Sequence, residues 1–353
     1  MRYPALIMDK NKVKHNTKVL SELAGKQGIR VAGVTKVACA WTDLAEAMLE
    51  GGVYALADSR IENLIKLKGF QQPKFLLRIP MVDQAEEIVQ YADVSLNSEL
   101  DVIKALDAAA KAMNKVHQIV LMVDLGDLRE GVWYENAVDF AGEIVKLENI
   151  KLIGLGTNLT CYGGVIPSAD NLGNLVKIAE EIEKKYNLEL EVISGGNSSS
   201  IHLLFKGQMP ARVNQIRLGE AIVLGTESAY GERIENTHGD AFTFAAKIVE
   251  LKEKPSVPIG EIGMDAFGGK PVFEDKGIIK RAIVAAGRQD VKHEGLTPRD
   301  TGISILGASS DHMILDVTNA DKAYKVGDVV EFSVSYGALL AAATSEYVSK
   351  IVK

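Results

Sequence analysis

The stretch from residue 30 to residue 58 reads RVAGVTKVACAWTDLAEAMLEGGVYALAD. Val31–Val37 and Tyr54–Ala57 are short, largely apolar runs typical of buried strands, and Thr42–Glu50 between them has helical periodicity. A strand, a helix and a second strand in succession predict a parallel βαβ unit. This unit indicates an α/β fold.

The same alternation continues through the first two-thirds of the chain. Six further strands are predicted at Phe75–Ile79, Val94–Leu96, Gln118–Val123, Lys151–Leu155, Glu189–Ile193 and Gln215–Arg217. The helical patterns between them are predicted at Gln84–Gln90, Glu99–Met113, Ala137–Leu147 and Ala169–Tyr186. Eight strand–helix units are the number that closes a (β/α)8 TIM-type barrel. A doubly wound open sheet is the alternative, but no G-x-G-x-x-G motif follows the first strand.

The pattern changes near residue 230. From Ala241 onward the chain contains the strand-like runs FTFAAKIVEL, KRAIVAAG, MILDVT and VVEFSVS, separated by Gly and Pro turns and without helical segments of similar length. This predicts a C-terminal β-rich domain. We expect a barrel domain over residues 1–232 and a β-domain over 233–353, with the junction in the polar stretch Gly231–Asp240.

Composition limits the functional classes. The 353 residues are 47% hydrophobic and 25% charged, which is ordinary globular composition, and the net charge of -7 argues against nucleic-acid binding. The N-terminus does not resemble a signal peptide, and no apolar run reaches the roughly 20 residues of a membrane span. Two cysteines without metal-ligand spacing suit a reducing compartment. The expectation is a cytoplasmic protein with no membrane association.

Lys36 lies at the end of the first predicted strand. Active sites of such barrels form at the carboxyl ends of the strands, where partial desolvation lowers the pKa of an amine. A neutral amine can attack an aldehyde and form an imine. A lysine at a strand end is more often structural, so this hypothesis needs support from other segments.

That support comes from the seventh and eighth strands. ISGGNSSSIH combines backbone N–H groups at glycines with serine hydroxyls, which suits phosphate binding at this position in a barrel; a flexible surface loop is the alternative. In QIRLGEAIVLG, Gly219 allows close backbone approach to the same phosphate, and Arg217 provides a fixed cation.

Taken in order, these motifs resemble the fold-type III pyridoxal-phosphate (PLP) enzymes, specifically the alanine racemases and their ornithine racemase relatives. GVTKVACA is similar to the segment that carries the cofactor lysine, which implies a Schiff base at Lys36. VDLGDLREG resembles the stretch after strand five and implies Arg129 beside the cofactor ring. GLGTNLTCYG resembles the strand-six end, where alanine racemases carry a histidine near the cofactor ring; Asn158 stands there instead, which implies that Asn158 contacts the cofactor.

The resemblance extends to the phosphate and ring contacts. GGNSSS is similar to the family's phosphate segment and implies cofactor contacts by Asn197, Ser198 and Ser199. IRLGEA implies that Arg217 bonds the pyridine nitrogen, while the amides of Gly219 and Glu220 meet the phosphate.

The resemblance also covers the C-terminal part. ILGASSDHMILDVT is similar to a segment that faces the substrate and implies Ser310 and Asp311, and VSYGALLAA implies that Tyr336 reaches the phosphate. In this family such groups enter the site of the neighbouring subunit, so a head-to-tail homodimer is implied. The expected partner molecules are otherwise a small amino-acid substrate and PLP.

The second catalytic base departs from the family pattern. Alanine racemases use a tyrosine in a turn early in the β-domain, whereas GEIGMDAFGG places Met264 or Asp265 there. We hypothesise that Asp265 is the base opposite Lys36, or that it holds a substrate amine; an exposed structural aspartate is the alternative. Met264 and Asp311 are expected to contact the substrate. Acidic groups suit a distal ammonium, which favours ornithine or another basic amino acid over alanine.

Several alternatives remain open at this point. They are another PLP reaction such as decarboxylation or aldol cleavage, a non-catalytic PLP carrier, and a barrel enzyme with a different phosphate-bearing ligand. His312 beside Asp311 raises the possibility of a metal, but a single neighbouring pair on a strand is weak evidence, and no metal is expected. Asp58 and Arg78, also at strand ends, are predicted to form structural ion pairs.

Overall fold

The computed structural model describes residues 2–265 and 267–353. Its contacts divide the chain into a barrel domain, Lys10–Gly239, and a β-domain made of residues 2–9 and 240–353. The predicted boundary was at residue 232, and the first residues were assigned to the barrel. They group with the C-terminal segment because strand β1 (Ala5–Met8) pairs with two strands there.

Eight parallel strands close the barrel, which confirms the predicted fold class. In chain order they run β2, β3, β4, β5, β6, β8, β9 and β10, and β5 pairs with β6 to complete the circle. A short strand, β7, adds to the end of β6. The bounds are β2 (Arg30–Val34), β3 (Ala55–Asp58), β4 (Lys74–Leu76), β5 (Val94–Asn97), β6 (His117–Asp124), β7 (Val132–Trp133), β8 (Ile150–Gly156), β9 (Val192–Ser194) and β10 (Gln215–Leu218).

Helices alternate with the strands. Their bounds are α1 (Lys10–Gly25), α2 (Thr42–Glu50), α3 (Ile61–Lys66), α4 (Ala85–Tyr91), α5 (Leu100–Ala112), α6 (Ala137–Ile144), α7 (Ala169–Tyr186), α8 (Ile201–Phe205) and α9 (Glu220–Leu224). Helices α2 and α7 have the bounds predicted from the sequence. For α7 the reason is local: Ser168 and Asn171 form a reciprocal capping box, and Asn187 ends the helix in the left-handed conformation (φ 51°).

Apolar and polar side chains share the barrel. Small apolar residues from β2 and β3, such as Ala32 and Ala57, pack with larger ones such as Phe75, Leu96 and Met122. Buried polar side chains lie on several strands, among them Ser95 on β5 and Arg217 on β10. Because a buried polar group requires a partner, these side chains are expected to be hydrogen-bonded.

The β-domain is one mainly antiparallel sheet in the order β13-β16-β11-β12-β15-β14, with β1 joining β11 and β17. One helix, α10, follows β16. The bounds are β11 (Phe242–Pro255), β12 (Ile278–Val284), β13 (Leu296–Pro298), β14 (Ser304–Ala308), β15 (Met313–Asp316), β16 (Val329–Val334), α10 (Tyr336–Thr344) and β17 (Ser349–Val352).

Helix α10 corrects the prediction that this part of the chain has no helix of appreciable length. Its sequence, YGALLAAAT, is rich in alanine and leucine, which favour helix. Ser335 caps its start by accepting a hydrogen bond from the Ala338 N–H at 3.3 Å. Among the helices described, none has the length and apolar character needed to cross a membrane.

Candidate active site

Lys36 is exposed and begins a 3-10 turn directly after β2. The predicted strand continued to Val37, but the structure ends it at Val34 because Thr35 adopts helical backbone angles. The buried Thr35 hydroxyl donates to Asp58 Oδ2 at 2.8 Å. This bond fixes the backbone immediately before Lys36.

Asp58 is therefore an anchor for the Lys36 turn and not the ion-pair residue that was predicted. Its second oxygen accepts hydrogen bonds from Asn63 Nδ2 at 2.9 Å and from the backbone N–H of Arg60 at 3.1 Å. Burial raises the pKa of Asp58, and these hydrogen bonds act in the opposite direction. The carboxyl group is occupied by framework contacts.

The β10 end lies next to the β2 end. A Cβ atom on Gly219 would lie 3.2 Å from Val34 Cβ, so the two strand ends are closely packed. Glu220 follows as the first residue of α9. Burial and the charge of Glu227 raise the pKa of Glu220, whereas the positive charge of Lys36 lowers it, so Lys36 is within electrostatic reach.

The glycine–serine segment after β9 is buried and held by hydrogen bonds, unlike the flexible surface loop considered as its alternative. Asn197 Oδ1 accepts from the Ser199 N–H at 2.8 Å and starts the turn Ser198–Ser200. Ser198 Oγ accepts from the Ala221 N–H at 3.2 Å, which connects the β9 end to α9. Ser199 Oγ donates to the Leu159 carbonyl at 3.3 Å.

Arg217 is a buried cation (2% exposed) surrounded by neutral oxygens. Its guanidinium donates to Ser194 Oγ, to the Thr157 carbonyl at 2.8 Å and to Asn158 Oδ1 at 2.8 Å. Burial lowers its pKa to about 10, so it remains protonated at neutral pH. Within the described part of the chain, no carboxylate forms an ion pair with it.

Glu130 connects Arg129 to Asn158, a contact that the sequence analysis missed. Arg129 Nη2 donates to Glu130 Oε1 at 2.7 Å and its Nε donates to Oε2, while Asn158 Nδ2 donates to Oε1 at 2.5 Å. Burial raises the pKa of Glu130, but the bonds from Arg129 and Asn158 outweigh it and the pKa is lowered. The only sequence signal was its position beside Arg129 in DLREG.

Asp127 organises the loop after β8 and was also missed. Its two carboxylate oxygens accept four backbone hydrogen bonds, from Thr160 (3.0 Å), Cys161 (3.1 Å), Tyr162 (2.9 Å) and Val165 (3.1 Å). Burial raises its pKa, but the four bonds outweigh burial and the pKa is lowered. The loop that begins at Asn158 is thus fixed by a residue that follows β6.

The barrel domain therefore brings together the predicted residues of five strand ends. Lys36 is at β2, and the others are Arg129, Asn158, Asn197, Ser198, Ser199, Arg217, Gly219 and Glu220. One observation indicates that these residues fit a phosphorylated pyridine cofactor. The hydroxyl of Thr157, Oγ1, is buried without a hydrogen-bond partner in the described structure, and the backbone carbonyl of the same residue accepts a hydrogen bond from Arg217. A polar group of the ligand can supply that partner.

The remaining predicted residues lie in the β-domain. Asp265 is exposed and accepts hydrogen bonds from the N–H groups of Gly269 (2.8 Å) and Phe267 (2.9 Å), which lower its pKa. Arg288 stacks on Phe267 at 4.4 Å and donates to the Ala308 carbonyl at 3.2 Å, so it joins this turn to the loop that precedes Ser310.

Four further predicted residues lie elsewhere in the β-domain. Asp311 is exposed, and its contact with His312 Nδ1 at 2.9 Å lowers its pKa. Ser310 is exposed and Tyr336, the first residue of α10, is half-buried. Met264 is 81% exposed.

Comparison with known proteins defines the class. Residues 8–227 match the alanine racemase N-terminal domain. The chain is 52% identical over 349 residues to an ornithine racemase from Acetoanaerobium sticklandii, covering 99% of both. It is 41% identical over 353 residues to a lysine racemase from Thermotoga maritima, again covering 99% of both.

Solved structures agree at the level of the fold. Alanine racemase from a D-cycloserine-producing Streptomyces lavendulae has a TM-score of 0.77 at 17% identity, covering 99% of this chain and 96% of that one. Alanine racemase from Bartonella henselae with covalently bound pyridoxal phosphate has a TM-score of 0.75 at 16% identity, covering 99% of both. The two full-length relatives and the family match define the class as amino-acid racemase. The chain belongs to the alanine racemase family.

Proposed function

We propose that this protein is a PLP-dependent racemase of a basic amino acid, with ornithine as the preferred substrate. The observation that carries the proposal is the buried cation Arg217, whose hydrogen-bond partners are neutral oxygens. Its strand, β10, pairs with β2, and the exposed Lys36 follows the end of β2. The 52% identity to an ornithine racemase and the 41% identity to a lysine racemase support the substrate class.

The residues assigned to the cofactor follow from the barrel geometry. Lys36 would hold PLP covalently. The phosphate would be held by Asn197, Ser198 and Ser199 together with the amides of Gly219 and Glu220. In the proposed homodimer, Tyr336 would reach the phosphate of the neighbouring subunit. Arg129 would lie beside the ring, and Asn158 would orient Arg217. PLP, when bound, supplies an electron sink that makes the substrate Cα proton removable.

Arg217 has a specific consequence for the reaction. Because its pKa stays near 10, it remains a donor and does not give its proton to a pyridine nitrogen. An unprotonated ring withdraws less electron density, which favours simple return of the proton over side reactions such as transamination. This supports racemisation over transamination.

Proton transfer requires a base on each face of the substrate. We assign Lys36 Nζ to one face and Asp265 to the other, with Met264, Ser310 and Asp311 contacting the substrate. Asp265 has a lowered pKa, so it is ionised at neutral pH and is also suited to a substrate ammonium. Asp265→Asn distinguishes the two roles: loss of a base lowers kcat in both directions of racemisation, because the same group returns the proton in the reverse reaction, whereas loss of an ammonium partner raises KM.

Cofactor attachment is tested by borohydride reduction followed by peptide mass spectrometry. A pyridoxyl group is expected on Lys36 and on no other lysine. Lys36→Ala should abolish labelling, whereas Lys151→Ala, which removes a surface ion pair with Glu191 at 2.6 Å, should leave it intact. A label elsewhere, or none, contradicts the proposed cofactor site and favours a different phosphate-bearing ligand.

Substrate choice is tested in deuterated water with single L-amino acids and chiral analysis of the product. L-Ornithine should give equal amounts of the two enantiomers with deuterium at Cα, and L-lysine should react more readily than L-alanine. Release of carbon dioxide or an aldehyde would point to another PLP reaction. A preference for alanine would refute the proposed substrate class.

We also propose a head-to-tail homodimer in the cytoplasm. Exposed apolar side chains in each domain support it, namely Leu128, Trp133 and Tyr162 in the barrel domain and Ile259, Met264, Phe267 and Val272 in the β-domain. Both cysteines are free, which suits a reducing compartment. If each site is formed by residues of both subunits, mixing the variants Lys36→Ala and Asp265→Ala should restore activity, because one site of each hybrid dimer then contains both wild-type residues. Hybrid dimers that stay inactive would contradict a site shared between subunits.

A further inference from the structure

The side-chain amide of Asn158 lies between a cation and an anion. Its Oδ1 accepts from Arg217 Nη2 at 2.8 Å, and its Nδ2 donates to Glu130 Oε1 at 2.5 Å. An amide has one acceptor end and one donor end, so turning it over would set its NH2 against the guanidinium and its carbonyl against the carboxylate. Only one orientation of Asn158 satisfies both neighbours.

Glu130 is the fixed member of this arrangement. Both of its oxygens are bonded by Arg129, through Nη2 at 2.7 Å and through Nε, and the carboxylate is only partly exposed (19%). A carboxylate can only accept here, so it selects the donor end of Asn158. Asn197 Nδ2, at 3.3 Å from Asn158 Oδ1, is a longer and neutral contact, and it does not face the Nδ2 end.

We propose that Glu130 is a positioning residue: by orienting Asn158 it fixes the Arg217 guanidinium in the direction of the cofactor ring. This rests on the proposed function, which assigns Arg217 to that ring. Glu130 acts through Asn158 and touches neither substrate nor cofactor in this scheme. The direct hydrogen-bond partners of Arg217 in the described structure are neutral. Glu130 supplies a negative charge on the far side of the Asn158 amide.

The chemistry of two substitutions separates orientation from charge. Glu130→Gln keeps the shape but places an NH2 group where one oxygen was, so it no longer selects a single orientation of Asn158. Glu130→Asp keeps the charge and shortens the side chain by one methylene, so the carboxylate cannot reach Arg129 and Asn158 together. Glu143→Gln, which removes an exposed ion pair with Lys146, is the matched control.

The experiment is an equilibrium titration of the apoprotein with PLP, followed by fluorescence, in a double-mutant cycle with Asn158→Ala. Loss of one hydrogen bond to a charged group corresponds to about a tenfold weaker Kd. We expect Glu130→Gln to weaken PLP binding about tenfold in the wild-type background and less than twofold when Asn158 is already alanine. Glu143→Gln should leave Kd unchanged, and circular dichroism checks that each variant is folded.

The outcomes are distinguishable. An equal loss in both backgrounds would mean that Glu130 does not act through Asn158, and an unchanged Kd for Glu130→Gln would mean that it does not position Arg217 at all; either result overturns the inference while the proposed function stands. If Glu130→Gln fails to fold, Glu130→Asp is tested in the same cycle, with the same expectation. A wild-type apoprotein that does not bind PLP overturns the proposed function and this inference together.

Discussion

Replacing Asp127 with asparagine tests how the loop after β8 is fixed. Each carboxylate oxygen accepts two backbone hydrogen bonds: Oδ1 from Thr160 and Val165, and Oδ2 from Cys161 and Tyr162. An asparagine can satisfy only one of these pairs, and its NH2 group then faces two N–H donors. Two bonds to a charged acceptor are lost, each contributing about 1.5–3 kcal/mol, and partial rehydration of the exposed loop reduces the total. We expect a loss of about 3 kcal/mol in the free energy of unfolding.

The assay is urea unfolding followed by tryptophan fluorescence, because both tryptophans, Trp41 and Trp133, belong to the barrel domain. Asp107→Asn is the matched control: a single oxygen, Oδ1, accepts both contacts from Asn149, at 2.8 and 3.2 Å, so the amide can keep them. We expect the control to lose less than about 1 kcal/mol. Equal losses in the two variants would refute the reasoning.

The pH dependence gives a second check on Asp127. Its pKa in the folded protein is lowered, so its contribution is complete above the pKa of an unfolded aspartate, about 3.9, and is lost as pH falls through the folded value. The difference in stability between wild type and Asp127→Asn should therefore be constant from pH 7 to about pH 5 and narrow below about pH 4. A difference that widens on acidification would contradict the assignment.

Two further substitutions test the framework, both by thermal and urea unfolding. Asp58→Asn should leave stability within about 1 kcal/mol at pH 7, because the amide can donate to the Thr35 hydroxyl and burial already disfavours the charged form. The pKa of Asp58 is raised in the folded protein, so the stability of the wild type relative to the variant should increase as pH falls toward the pKa of an unfolded aspartate, about 3.9; the reverse trend would rule this out. Gly154→Ala should cost more than about 3 kcal/mol, since its Cβ would lie 2.0 Å from the Val192 carbonyl oxygen. Gly173→Ala, at a position in α7 where an added Cβ meets open space, should increase the free energy of unfolding by up to about 1 kcal/mol. Equal changes in stability for Gly154→Ala and Gly173→Ala would refute the packing argument.

The fold was predictable because its signals are local. Helix α7 has a capping box at Ser168 and a left-handed Asn187 after its last residue, and both belong to the immediate sequence. The predicted strand ended at Val37, whereas β2 ends three residues earlier, at Val34. The strand stops there because the Thr35 hydroxyl donates a hydrogen bond to Asp58, a residue of the next strand. Helix α10 was missed because its segment, YGALLAAAT, is short and directly follows the predicted strand VVEFSVS.

The candidate site divides in the same way. Lys36, Arg217 and the serine segment occur in ordered motifs and could be selected from the sequence. Asp127 and Glu130 could not be selected from the sequence. Their hydrogen-bond partners in the loop after β8 lie about 30 residues further along the chain, and these contacts form only because the ends of β6 and β8 are adjacent. A carboxylate beside an arginine in DLREG is compatible with a solvated surface pair, and only the geometry shows its contact with Asn158.

The buried carboxylates around the barrel end have a common electrostatic effect. Asp58 is bonded by Thr35 and Asn63, and Asp127 by four backbone N–H groups, so neither neutralises a cation of the site. Glu130 pairs with Arg129 and reaches Arg217 only through Asn158. Arg217 therefore retains its charge without a direct anionic partner in the described structure. Because a buried cation without an anionic partner is costly, this arrangement favours a ligand that brings its own negative charge and polar ring, which is the property that the proposed cofactor has.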